Sequence, residues 1–200
     1  MTLLRIPRIP LPIALFLALL LPLASGPALA APGPRPYTHV DLVLAKDLML
    51  AQLNAVRQEK GLPMLVEDPS VSAVALAHAR DMVARDYFAH VSPEGATPQE
   101  RLAAAGLPYP VGENLGALRS YGLTTGEIAR GLLQSLLDSP PHRANLLDRR
   151  ATHIGLGFCQ DKDSQTNFMD LSMEGTGAGT VVVCQEFVRK PLKAWTPPMA

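Results

Sequence analysis

Apolar side chains recur near helical spacing through residues 40–60, at Val40, Leu44, Leu48, Leu53 and Val56, and Gly61 offers a stop. Asp68-Pro69 reads as a cap followed by proline in the first turn. It opens a helix to about residue 86 with Val71, Ala75, His78 and Met82 on one face. Thr97-Pro98-Gln99-Glu100 is a capping box whose short helix ends at Gly106. Residues 107–114 read as irregular. Thr124 or Thr125 then caps a helix with Ile128, Leu132, Leu133 and Leu136 as its apolar stripe, and Ser139-Pro140-Pro141 breaks it and opens another through Leu147. Ile154 to Cys159 and Val181 to Phe187 read as strands, rich in β-branched and aromatic residues. Between them, residues 161–179 are polar, with room for one weak strand near 167–171. Helices first and strands last predict an α+β domain with an antiparallel sheet rather than a parallel βαβ fold.

The first thirty residues stand apart. Arg5 and Arg8 precede an apolar run over 13–23 and a small-x-small site, Ala28-Leu29-Ala30. This is the pattern of a secretory signal peptide, and the run is short for a span of roughly twenty residues. Residues 31–40, Pro-rich at their start, read as a flexible lead-in, 41–190 as the domain, and 191–200 as a tail. The expectation is a domain outside the cytoplasm, secreted or periplasmic, with no membrane span once the leader is removed. Of 18 basic and 18 acidic residues, cleavage leaves 16 basic against 18 acidic. No charge excess favours nucleic acid as a partner.

That compartment bears on the two cysteines, Cys159 and Cys184, one in each late strand. On antiparallel neighbouring strands they can meet. An oxidising environment favours the bond, and closing a loop of about 25 residues stabilises by roughly 3 kcal/mol. The other reading is a pair of small buried hydrophobes.

The chain carries no Gly-x-Ser-x-Gly elbow, no His-Glu-x-x-His and no phosphate loop. What remains is His90, Glu113 and His142, set among turn residues. Two imidazoles and a carboxylate can hold Zn²⁺ or another divalent cation with a position left open. They can equally form a polar cluster that ties loops together without metal.

Read together, the motifs resemble the CAP superfamily, also called the SCP or pathogenesis-related-1 domain, in its short bacterial secreted form. The resemblance rests on Leu53-Asn54-Ala55-Val56-Arg57, Ala77-His78-Ala79-Arg80-Asp81-Met82 and Phe88-Ala89-His90-Val91-Ser92-Pro93. It continues through Gly112-Glu113-Asn114, the run Ser139 to Leu147 (SPPHRANLL), Ile154-Gly155-Leu156-Gly157, and Gln185 with Phe187. It implies a three-layer α-β-α sandwich with a central antiparallel sheet. It also implies a shallow cleft where His90, Glu113 and His142 converge. Family members often have a second Glu just before the second histidine, and here that place holds Ser139.

Three functions follow as expectations. One is a secreted binding module for a small molecule, lipid or cell-envelope component. Another is a metal-assisted hydrolase of envelope polymer or protein, with a cation at His90 and His142 and Glu113 as base or ligand. The third is a structural protein without a ligand.

Overall fold

The computed structural model describes residues 39–161 and 179–190. The leader, most of the lead-in, the weak strand near 167–171 and the tail lie outside them. The described elements are α1 Leu42–Glu59, β1 Val66–Glu67, α2 Pro69–Ala84, α3 Pro98–Ala104 and β2 Val111–Arg119, then α4 Thr125–Asp138, α5 Pro140–Leu146, β3 His153–Gln160 and β4 Thr180–Val188.

Local chemistry sets the helix ends. Asp68 accepts from the amides of Ser70 and Val71 with Pro69 in the first turn, and Thr97 and Thr124 each close a capping box with the Glu three residues on. Gly61, at φ +64°, ends α1: its amide bonds to Gln58 O while that of Leu62 reaches Arg57 O. The buried stripe of α1 is Ala45, Met49, Leu53 and Arg57, one position away from the expected Leu44 and Leu48. Arg57 is fully buried because its fork is consumed by three carbonyls, those of Pro63, Leu146 and Asp148 at 2.7–3.1 Å.

The strands lie in the order β1-β3-β4-β2. β4 is central and antiparallel to both β3 and β2, while β1 adds a two-residue parallel pairing to β3. The sheet is therefore mixed, antiparallel except at that edge. β2 corrects the reading of residues 107–114 as irregular: from Val111 onward the chain is paired along its length with β4.

Alternation along β4 divides the core between two helical layers. Val181, Val183 and Phe187 pack with Met49, Leu53, Ile128 and Leu132 from α1 and α4. Val182 and Cys184 face Ala75, Ala79 and Met82 of α2, and Val188 meets Val71 and Leu102 of α2 and α3. The result is the three-layer α-β-α sandwich. On β3 this approach needs glycine. A Cβ at Gly157 would lie 2.2 Å from the backbone of Ala75 and Leu76, and one at Gly155 would lie 2.5 Å from that of Val71.

The register also settles the cysteines, and it corrects the expected disulfide. Cys184 stands opposite Gly157 and Cys159 opposite Val182, so the two are diagonal neighbours, and no bond joins them. Diagonal pairs sit roughly 7–8 Å apart, too far for the usual bridge geometry. The Cys184 thiol points instead across β2, to Glu113 Oε2 at 3.3 Å.

Candidate functional site

β2 is an edge strand, and the site wraps around that edge. His90 arrives from the layer of α2 and α3, in the loop that joins them. His142 arrives from the opposite layer, in the first turn of α5. Glu113 lies between them on β2, on the face turned to α2 and α3.

Each piece is anchored. The His78 ring, 2% exposed on α2, donates from Nε2 to Ala89 O at 3.0 Å. Arg101 of α3 donates to His90 O at 2.8 Å and to Ala96 O at 3.0 Å. Together they hold the His90 loop. On the other side Asn145 of α5 donates to Glu113 O and to Asn114 Oδ1, and Asn114 donates to His142 O at 3.1 Å. Gly112 makes room for this clasp, since a Cβ there would lie 2.9 Å from Asn145 Oδ1.

The Glu113 side chain is 2% exposed and that of His90 is 51% exposed. His90 Nδ1 donates to Glu113 Oε1 at 2.7 Å, which leaves Nε2 as the outward nitrogen. A carboxylate behind an imidazole fixes its tautomer and its orientation. Glu113 Oε2 pairs with Arg101 Nη2 and accepts from the Cys184 thiol. His142 does not pair with Glu113. Burial lowers its pKa, and the nearby His90 lowers it further. A recess of about 160 Å³ lies where β2 meets α5, lined in part by Gly112, Asn145, Asp148 and Arg150 and by neither histidine.

Beneath Glu113 lies a second carboxylate that sequence reasoning missed. Glu186 is fully buried and directly opposite Glu113 in the β2–β4 register. Arg101 Nη2 lies 3.6 Å from Glu186 Oε1, so one guanidinium serves both acids. Burial, then the charge of Glu113 and a hydrogen bond to it, push the Glu186 pKa up to about 9. Glu186 is therefore a neutral carboxylic acid at pH 7. Burial also pushes the Cys184 thiol up, and both acids add to that. The one available signal was periodicity: Val182, Cys184, Glu186 and Val188 form the α2-facing row of β4, and an acid in such a row requires a partner.

A model of the cysteine-rich secretory protein family, CAP, matches residues 50–185. The chain belongs to this family. Among relatives, the uncharacterized protein YkwD of Bacillus subtilis is 34% identical over 108 residues, covering 54% of this chain and 39% of YkwD. The uncharacterized membrane protein YlbC of the same organism is 32% identical over 105 residues, covering 52% of this chain and 28% of YlbC. The chain thus spans well under half the length of these curated relatives. Among solved structures, an extracellular protein containing an SCP domain from Bacillus anthracis is 29% identical at TM-score 0.56, covering 74% of this chain and 41% of that one. An outer surface protein of Borrelia burgdorferi shares the fold at TM-score 0.55 and 17% identity, covering 78% of this chain and all of that one.

A divalent cation of the kind the family resemblance implies would find its ligands here in His90 and His142; among the described residues the group whose ligand atoms lie within 4.8 Å of one another is instead Glu113, Cys184 and Glu186. His90 Nε2 faces outward, His142 lies beside it in a setting that favours neutral imidazole, and Glu113 stands behind His90 as its orienting group.

Proposed function

We propose that this CAP domain is an extracytoplasmic binding module whose ligand docks at His90 and His142. The ligand class is a divalent cation, alone or as the bridge to a small envelope-derived molecule seated in the recess where β2 meets α5. One observation carries this reading: a buried Glu113 carboxylate holds an exposed imidazole at 2.7 Å, so that Nε2 faces outward. A carboxylate, an arginine and a second acid are desolvated beneath a side chain that itself contributes little to the core. That expense in stability is intelligible if His90 meets a ligand.

The extracytoplasmic location draws support from the leader pattern of residues 1–30 and from the extracellular and outer-surface neighbours. Among the described residues no helix is long and apolar enough to cross a membrane. A hydrolase would need a carboxylate able to act on water. Glu113 spends both oxygens on His90, Arg101 and Cys184, which favours binding over catalysis.

Zinc titration by calorimetry, beside His142→Ala, tests the reading. One equivalent bound at micromolar Kd or tighter that the variant no longer binds supports it. No heat in the unaltered protein would send the cleft back to a structural role.

A further inference from the structure

Glu113, Cys184 and Glu186 bring three ligand atoms within 4.8 Å of one another below the His90–His142 face. Strand register makes this cluster: Glu113 and Glu186 are cross-strand partners, and Cys184 lies two residues along β4 on the same face. The Cys184 Sγ is 3.3 Å from Glu113 Oε2 and 4.0 Å from Glu186 Oε1. With ordinary Zn–S and Zn–O bond lengths, the sulfur–oxygen edge of a tetrahedral site is about 3.6 Å. The two observed separations bracket that value.

A second observation points to a missing ligand. Glu186 is fully buried, and among the described residues its Oε2 has no hydrogen-bond partner. A buried carboxyl oxygen left without a partner is costly. Arg101, the guanidinium that pairs with Glu113 and approaches Glu186, reaches Oε1 and not this oxygen.

We propose that Glu113, Cys184 and Glu186 form an inner site for a thiophilic divalent cation such as Zn²⁺ or Cd²⁺, separate from the outward imidazoles. A thiolate with two carboxylates selects such ions over Mg²⁺ and Ca²⁺, which prefer oxygen alone. The charge balance closes. On loading, Cys184 releases its thiol proton and Glu186 its carboxyl proton, and the dication replaces them. Arg101 and Glu113 keep their charges, so the net charge of the buried cluster is unchanged. The inner site does not depend on the outer-ligand reading, because His142 belongs to one and not the other.

The purified protein, kept reduced, is titrated with Cd²⁺ while the ultraviolet thiolate-to-metal absorption is recorded. It is loaded both directly and by refolding in the presence of metal, so that slow entry is not mistaken for absence of a site. The expected result is one equivalent with a thiolate band. The band is abolished in Cys184→Ser, weakened roughly tenfold or more in Glu186→Gln, and retained in His142→Ala. Circular dichroism checks that each variant folds. Should Cys184→Ser fail to fold, Glu186→Gln, which keeps size and hydrogen bonding, carries the test. No thiolate band in the folded unaltered protein overturns the proposal. So does a band that Glu186→Gln leaves unchanged or that His142→Ala removes.

Discussion

Glu113 and Glu186 face one another across the β2–β4 ladder, and Arg101 Nη2 is the cation that pairs with Glu113 and approaches Glu186. Two like charges directly opposite on a sheet repel. Here the conflict is resolved by a proton on Glu186 and by a guanidinium from α3, and the same guanidinium fixes the loop that carries His90.

The protonated state of Glu186 gives a pH dependence with a definite sign. Its folded pKa, about 9, lies above the ordinary carboxylate value of 4.5. The folded state therefore holds this proton more tightly than the unfolded state. The stabilisation is complete below about pH 4.5 and is lost as pH rises toward 9. Glu186→Gln mimics the protonated acid. It should raise the thermal midpoint at pH 8.5 by several degrees and leave it nearly unchanged at pH 5. Arg101, Glu113 and Cys184 face the same cluster, and the difference between variant and unaltered protein isolates Glu186 from them.

Arg101→Ala should be severely destabilising, by roughly 3 kcal/mol or more, because it leaves buried carboxylates without their cation. It also releases the carbonyls of His90 and Ala96. Arg101→Lys should recover only part of the loss, since a point charge cannot reach both acids and both carbonyls. Urea denaturation of the three proteins measures this.

Glycines at two places should respond in opposite directions. Gly157→Ala places a methyl 2.2 Å from the backbone of α2, where no side chain can yield. It should cost several kcal/mol or prevent folding. Gly126, in the first turn of α4, has only Leu48 Cδ1 at 3.9 Å from a built Cβ. Gly126→Ala should be neutral to stabilising, by up to about 0.5 kcal/mol. Thermal melts of both variants read the contrast.

The cysteines should stay unlinked even after folding under oxidising conditions. Non-reducing proteolysis and mass spectrometry should recover no peptide bridging Cys159 and Cys184. Cys184, fully buried with its pKa raised, should resist thiol reagents until the protein unfolds.

Much of this fold was legible because its signals are local. Asp68-Pro69, Thr97, Thr124, Gly61 and Gly106 state helix boundaries through capping chemistry that needs no tertiary partner. β2 was hidden because Val111 to Arg119 holds two glycines, a Glu and an Asn, and becomes a strand only by pairing with β4. Arg57 in the stripe of α1 was hidden for a similar reason: its burial depends on the carbonyls of Leu146 and Asp148, distant in the chain at the end of α5 and just beyond it. His90, Glu113 and His142 could be named from their motifs. That Glu113 turns toward His90 and away from His142, and that Arg101, Cys184 and Glu186 stand beneath it, follows from register and from which strand is at the edge. Neither is written in any short stretch of sequence.

Ligand binding at this site depends on the outward nitrogen of His90. Nitrogen-15 NMR of the imidazoles, recorded with and without Zn²⁺, reads it directly. His90 is expected to carry its proton on Nδ1 in the metal-free protein, with Zn²⁺ shifting His90 Nε2 and the His142 ring together. A His90 protonated at Nε2, or imidazole signals that saturating Zn²⁺ leaves unmoved, would contradict this expectation.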